Sequence, residues 1–288
     1  MSIPKPIIID ISEHQQPKNI NYDLLAKAID GVIVRVQYGS NYIDHHYKTH
    51  IKEFKKRGIP FAVYAWVRGS SISDMKVEAT DFYNRVASFE PAFWWLDVEE
   101  KSMIDMRNGC EAFRQQLKNL GAKKVGVYIA NHLYSQFNLN VGKFDGIWIP
   151  TYGTNNGQYN GSNPTATNNY NIHQYTSNGQ LNGYRYALYL NRLVKGSFDY
   201  FFGKRPSTNK PKKEGALKMK TITTTSNGVK LRSTAKVDSK NIIAELPINA
   251  KININDIKIA DGFVWGLQPR SDGSIGYIDI GKSVSWVK

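Results

Sequence analysis

Eight short runs of β-branched and aromatic residues recur through the first 200 residues, at 7–11, 31–37, 61–67, 92–98, 124–130, 146–151, 170–176 and 187–192. Amphipathic helical periodicity fills five of the intervals between them, at 22–28, 44–57, 73–88, 105–120 and, more briefly, 132–137. Strands that alternate with helices are joined by crossovers and lie parallel in one sheet, and eight such strands suit closure into a barrel. After Trp148 the helical pattern fades, and 152–169 is rich in Asn, Gly and Thr, which reads as a loop. An α/β barrel with one half made mainly of strands is the architecture these patterns predict.

In barrels of this kind reactive residues sit at the C-terminal ends of strands. Three acids fall there: Asp10 after Pro6-Ile7-Ile8-Ile9, and Asp97 and Glu99 after Phe93-Trp94-Trp95-Leu96. Side chains two apart on a strand leave the same face, so Asp97 and Glu99 should share one space. Carboxyls held together push their pKa values apart, which is the chemistry of a glycosidase. Flanked by Trp94 and Trp95, Glu99 is expected to be the desolvated, protonated general acid, with Asp97 ionised beside it. The plainer alternative is a charged strand end running on into Glu100 and Lys101.

Tyr64, Trp66, Tyr128, Trp148, Tyr152 and Gln174 fall on or next to other strand runs. Aromatic faces stack on sugar C–H faces while phenols and amides bond hydroxyls, so together they suit a carbohydrate cleft, although each singly could be core packing. Arg35, inside a strand run, should pair with a carboxylate and position it.

Other chemistries find little support. Asp44, His46 and His50 have helical spacing compatible with a metal site, but no His-Glu-x-x-His accompanies them, and Lys48, Lys52, Lys55 and Lys56 mark that helix as a solvated face. No metal and no cofactor are expected. Cys110 is the single cysteine, so no intramolecular disulfide can form, and its helical setting suggests a buried inert thiol. Neither a nucleophile elbow nor a glycine-rich phosphate loop is present. The net charge of +14 favours polyanionic partners, among them nucleic acid and anionic wall polymers, yet no nucleic-acid recognition motif accompanies it. No apolar stretch of about 18 residues exists, so no membrane insertion is expected. Met1-Ser2-Ile3-Pro4-Lys5 lacks the features of a secretory signal, which predicts retention in the cytosol until something else releases the protein. Sequence leaves the oligomeric state open, with a monomer favoured.

Composition changes at 204–220, where Arg205, Pro206, Ser207, Lys210, Pro211, Lys212 and Lys213 form a polar, basic segment without periodicity, read as a linker. Beyond it, 221–288 holds short alternating runs separated by Asn227-Gly228, Asp261-Gly262 and Asp272-Gly273, the pattern of a small antiparallel β-barrel. Three parts follow: 1–203, a linker at 204–220, and 221–288.

From about Ile7 to Phe202 the chain resembles the glycoside hydrolase family 25 lysozymes. The segments that carry the likeness are Ile9-Asp10-Ile11-Ser12, Val34-Arg35-Val36-Gln37-Tyr38-Gly39, Pro60-Phe61-Ala62-Val63-Tyr64, Trp95-Leu96-Asp97-Val98-Glu99, Gly126-Val127-Tyr128, Trp148-Ile149-Pro150-Thr151-Tyr152-Gly153 and Gln174-Tyr175-Thr176. The resemblance implies a TIM-like barrel with five regular strand-helix units and a strand-rich remainder. It implies cleavage of the β-1,4 bond between N-acetylmuramic acid and N-acetylglucosamine in bacterial peptidoglycan, with Glu99 as acid/base, Asp97 and Asp10 assisting, and Tyr38 and Tyr189 joining the substrate-binding set. The sequence departs from the family at Leu188-Tyr189-Leu190-Asn191, where Val-Asp-Leu-Asn is common, and at His173, where tryptophan is frequent. The C-terminal part resembles bacterial SH3-like (SH3b) wall-binding domains, in Gly228-Val229-Lys230-Leu231-Arg232-Ser233, Asp261-Gly262-Phe263-Val264-Trp265-Gly266 and Gly276-Tyr277-Ile278. Trp265 and Tyr277 are its candidate wall contacts, though Trp265 could equally fill the little barrel. The whole suggests a phage endolysin, with a bacterial autolysin or a catalytically impaired wall-binding protein as alternatives.

Overall fold

A computed structural model of the chain describes residues 3–204, 220–270, 272 and 274–282. They form two compact units. In the first, the strands are β1 (Ile8–Ile11), β2 (Gly31–Tyr38), β3 (Tyr42–Ile43), β4 (Phe61–Trp66), β5 (Trp94–Val98), β6 (Val125–Ile129), β7 (Ile147–Pro150), β8 (Ile172–Leu181) and β9 (Tyr184–Leu193). The helices are α1 (Tyr22–Ala28), α2 (Tyr47–Lys56), α3 (Ile72–Val86), α4 (Met106–Leu120), α5 (Tyr134–Phe137) and α6 (Phe198–Phe202).

Pairing runs in parallel from β1 through β2, β4, β5, β6 and β7 to β8, then antiparallel to β9, which returns antiparallel to β1 and closes the eight-stranded ring. The two-residue β3 hangs on β2 outside the ring. Strand period then sorts side chains between two cores. Ile8, Ile33, Ala62, Tyr64, Phe93, Trp95, Tyr128, Trp148 and Ile172 fill the barrel. Their alternates, such as Ile9, Val34, Val63, Trp94, Leu96 and Val127, pack outward under the helices. Helix starts follow from local chemistry: the side chains of Asn21, Ser71 and Asp105 cap α1, α3 and α4.

Between β7 and β8 the chain has no helix, as the Asn- and Gly-rich composition suggested. A hairpin can replace a crossover only if the strands turn antiparallel, and the β8–β9 turn does so through Gly183 at φ +101°. A Cβ there would lie 2.3 Å from the Leu25 backbone nitrogen, so the turn and the start of α1 fit only around glycine.

Two expectations need correction. Helix α2 starts at Tyr47 rather than at Asp44, and it is not simply a solvated face, because it buries Tyr47, His50, Ile51 and Phe54. The Nδ1 of His50 lies 2.7 Å from the Tyr22 hydroxyl, and burial pushes its pKa down to about 4, so the ring is a neutral core histidine. β3 and α6 were not expected at all.

The second unit contains β10 (Lys220–Thr223), β11 (Val229–Arg232), β12 (Ile242–Leu246), β13 (Lys251–Ile254), β14 (Asp256–Ala260), β15 (Phe263–Pro269) and β16 (Ile275–Lys282). Five of these form an antiparallel sheet in the order β12-β11-β16-β15-β14, and β10 pairs with β13. Leu231, Ile252, Ile254 and Ile278 make its core. Trp265 is fully buried and its indole N–H donates to the Ala260 carbonyl at 2.9 Å, so it is withdrawn as a wall contact. Tyr277 on β16 is half-buried. Of the expected linker, residues 205–219 lie outside the described residues. Among the described residues no helix is long and apolar enough to cross a membrane.

Candidate active site

Where the strands end at the C-terminal mouth of the barrel, a cleft of about 180 Å³ opens. Asp10 from β1, Arg35 from β2, Tyr64 and Trp66 from β4, and Asp97 and Glu99 from the end of β5 all line it. Tyr128 of β6, Trp148 of β7, Tyr152, Gln174 of β8 and Tyr189 of β9 complete the far wall. Every expected residue of the first unit is therefore brought together except Tyr38, which stands behind the wall with its ring 5.2 Å from that of Trp66.

Asp10 is held by two amides. Gln174 Nε2 donates to its Oδ1 at 2.9 Å and Asn191 Nδ2 at 2.7 Å. Each amide is oriented from behind by aromatic donors: Trp148 Nε1 gives to Asn191 Oδ1 at 2.8 Å, while the Tyr128 and Tyr152 hydroxyls give to Gln174 Oε1 at 3.1 and 2.7 Å. Because the amide oxygens are occupied, both NH₂ groups face Asp10, an arrangement that favours its anion. Burial outweighs them and pushes the pKa of Asp10 up to about 6, with the Glu99 charge adding to the rise.

Asp97 and Glu99 are hydrogen-bonded to one another. Burial raises both, and Asp97 further, because it also feels the charges of Glu99 and Asp10. Two carboxyls in contact cannot both ionise freely, so one proton is shared between them near neutral pH. The expected desolvation of Glu99 is present, and Asp97 is buried deeper still, at the end of its strand. Asp97 Oδ1 is buried and has no hydrogen-bond partner among the described residues.

Arg35 does pair with carboxylates, but not with the three in the cleft. Its Nε donates to Asp44 Oδ2 at 3.1 Å, and a terminal nitrogen lies 3.7 Å from Glu13 Oε1. Asp44 also accepts the Glu13 and His46 backbone N–H groups, which explains why it precedes α2. Tyr189 lies directly opposite Asp10 in the β1–β9 register, 38% exposed. His173 stays out of the cleft: Arg192 Nε donates to its Nδ1 at 3.0 Å and its Nε2 lies 2.8 Å from the Thr151 carbonyl oxygen. Among the described residues no group of three His, Cys, Asp or Glu could hold a metal ion.

Sequence reasoning missed Ser12, His14 and Asn191. Strand period held the signal for Asn191, two residues beyond Tyr189 and so on its face. The two loop residues follow β1 with no such pattern.

Comparison with known proteins then supplies a lineage. A comparison with curated proteins returns no match. Among solved structures, a glycosyl hydrolase 25 of Streptococcus pneumoniae, described as a virulence factor participating in host cell invasion, is 40% identical. It covers 69% of this chain and 93% of its own, at a TM-score of 0.66. The catalytic domain of the endolysin ply40 from bacteriophage P40 of Listeria monocytogenes is 26% identical over 68% of this chain and 96% of its own, at 0.62. The Clostridium perfringens spore cortex lytic enzyme SleM spans 96% of this chain and 99% of its own at 18% identity and 0.58, a likeness of fold alone. The profile of glycosyl hydrolases family 25 matches residues 9–184, more than half of the chain, and the chain belongs to that family.

Proposed function

We propose that the protein is an N-acetylmuramidase that cleaves the β-1,4 bond between N-acetylmuramic acid and N-acetylglucosamine in peptidoglycan. The observation that carries this reading is the convergence of Asp10, Asp97 and Glu99 in one aromatic-lined cleft at the barrel mouth.

Glu99 serves as the proton donor to the glycosidic oxygen, and burial favours the protonated form it needs. Asp97 Oδ1 is a buried acceptor with no partner among the described residues, suited to an acetamido N–H of the sugar. A hydrogen bond to the ionised form lowers the pKa of Asp97, which leaves the shared proton to Glu99 in the substrate complex. Asp97 touches Glu99, whereas an inverting pair stands about 6.5–9.5 Å apart to admit water. The geometry therefore supports attack by the substrate's own acetamido oxygen on the anomeric carbon. Glu99 protonates the leaving oxygen, then takes a proton from the water that opens the cyclic intermediate, with retention. Asp10, ionised above about pH 6, stabilises the positive charge that develops at the sugar.

The likeness to the phage endolysin supports a role in lysis of a Gram-positive host, in which the enzyme accumulates in the host cytoplasm and meets the wall once the membrane is breached. An autolysin is the alternative, and the two share the chemistry. The second unit, in this reading an SH3b-type module, holds the enzyme to the wall with Tyr277 as a contact. Glu99→Gln removes the proton donor and keeps the shape, so wall pelleting should persist while turbidity clearing falls at least a hundredfold. Undiminished clearing would reject Glu99 as the acid. A wild-type protein that binds walls and never clears them would favour a binding-only protein.

A further inference from the structure

Just outside the cleft, four side chains from three strand ends form one cluster. Arg68, in the turn after β4, has its Nε 2.9 Å from Glu100 Oε1 and its guanidinium 4.6 Å from the centre of the Tyr38 ring. The same Glu100 oxygen accepts the Trp66 indole N–H at 3.0 Å and lies 3.5 Å from the Tyr38 hydroxyl. The turn carrying Arg68 is itself pinned from below, because buried Glu78 of α3 accepts the Arg68 backbone N–H at 3.2 Å. Glu100 adjoins Glu99 in the chain, and Trp66 lines the cleft.

We propose that Arg68 and Glu100 are positioning residues that set the proton affinity of Glu99 from outside the cleft and hold the Trp66 indole in its wall. The proposal rests on Glu99 being the acid. Glu100 places a negative charge next to Glu99 and favours its protonated form, while Arg68 offsets that charge. Glu100 is among the charges that raise Glu99.

Other groups also face Glu99. Asp97 shares its strand; Asp10 on β1, Tyr128 on β6, Tyr152 after β7 and Tyr189 on β9 all interact with it electrostatically. Arg35, Tyr64 and His14 line the same cleft. Of these charged neighbours, Glu100 and Arg68 can be altered with least disturbance, since their side chains are 37% and 48% exposed.

The two residues therefore pull in opposite directions. Arg68→Gln leaves Glu100 unopposed, so the alkaline limb of the pH–rate profile should move up by about half a unit at low salt. Glu100→Gln removes the anion and frees the cation, so the limb should move down by about as much. Glu100→Gln keeps an acceptor for the indole, whereas Glu100→Leu loses it and should also raise KM. The measurement is clearing of purified walls across pH at low and high salt, with thermal melting to confirm folding and Glu99→Gln as control. Opposed shifts that shrink in high salt support the proposal. Shifts of one sign, or none, overturn it where Glu99→Gln is inactive; an active Glu99→Gln instead overturns the reading of Glu99 beneath it.

Discussion

At the scale of single residues, the molecule keeps several carboxyls against their electrostatic preference. Glu78 is the case outside the cleft: burial pushes it up to about 8, although the Arg68 and Gly69 backbone N–H groups favour its anion. A carboxyl whose folded pKa is raised binds its proton in the native state over a range where the unfolded chain has lost it. Its full contribution to stability is present below the ordinary value of 4.5 and is lost as pH rises through about 8. His50 and His173, both pushed down to about 4, act in the opposite sense only below about pH 6.5, where the unfolded histidines begin to charge. Between pH 8 and 6.5 the carboxyls alone decide the slope, and the protein should become more stable as pH falls. Glu78 accounts for about 2 kcal/mol across that window. Thermal melts of Glu78→Gln should show a flatter profile there, and an unchanged slope would exclude Glu78 as its source.

At the scale of elements, the barrel interior sets what β5 can carry. Phe93 and Trp95 stack 4.4 Å apart beneath Asp97, and Gly126 on the neighbouring β6 makes the room for them. A Cβ at Gly126 would meet the Trp95 ring at 2.4 Å and the Phe93 ring at 2.7 Å. Gly126→Ala should therefore cost about 1–3 kcal/mol in urea unfolding and lower activity more than a surface substitution does, because the strand bearing Asp97 and Glu99 must shift. A neutral substitution would mean that the aromatic floor does not position the acids.

The strand-helix alternation and the period of two were legible because they are local properties of the chain. They placed all eight ring strands and put Asp10, Asp97 and Glu99 at their ends. What could not be read was set by partners distant in sequence. Whether Trp265 faced solvent depended on the folded surroundings that bury it and on the carbonyl of Ala260 that takes its indole N–H. The upward pull on Asp97 and Glu99 depended on burial at the barrel mouth and, for Asp97, also on Asp10, 87 residues earlier. Asp44 reads as helical by spacing, yet Arg35 and the Glu13 backbone hold it in the turn before the helix. β3 and α6 are too short, at two and five residues, to show periodicity.

At the scale of the whole molecule, a basic chain of net charge +14 joins a barrel with an acidic cleft to a small β unit with its own core. Under the proposed function the division suits an insoluble, anionic wall, with the first unit assigned the chemistry and the second assigned residence. The basic charge adds salt-sensitive attraction to the same surface. Which glycosidic bond is cut is read by mass spectrometry of the fragments released from purified peptidoglycan. Wild-type protein should release muropeptides with new reducing-end N-acetylmuramic acid, and Glu99→Gln should release none. Reducing-end N-acetylglucosamine, or freed peptide termini on intact glycan, would contradict the account.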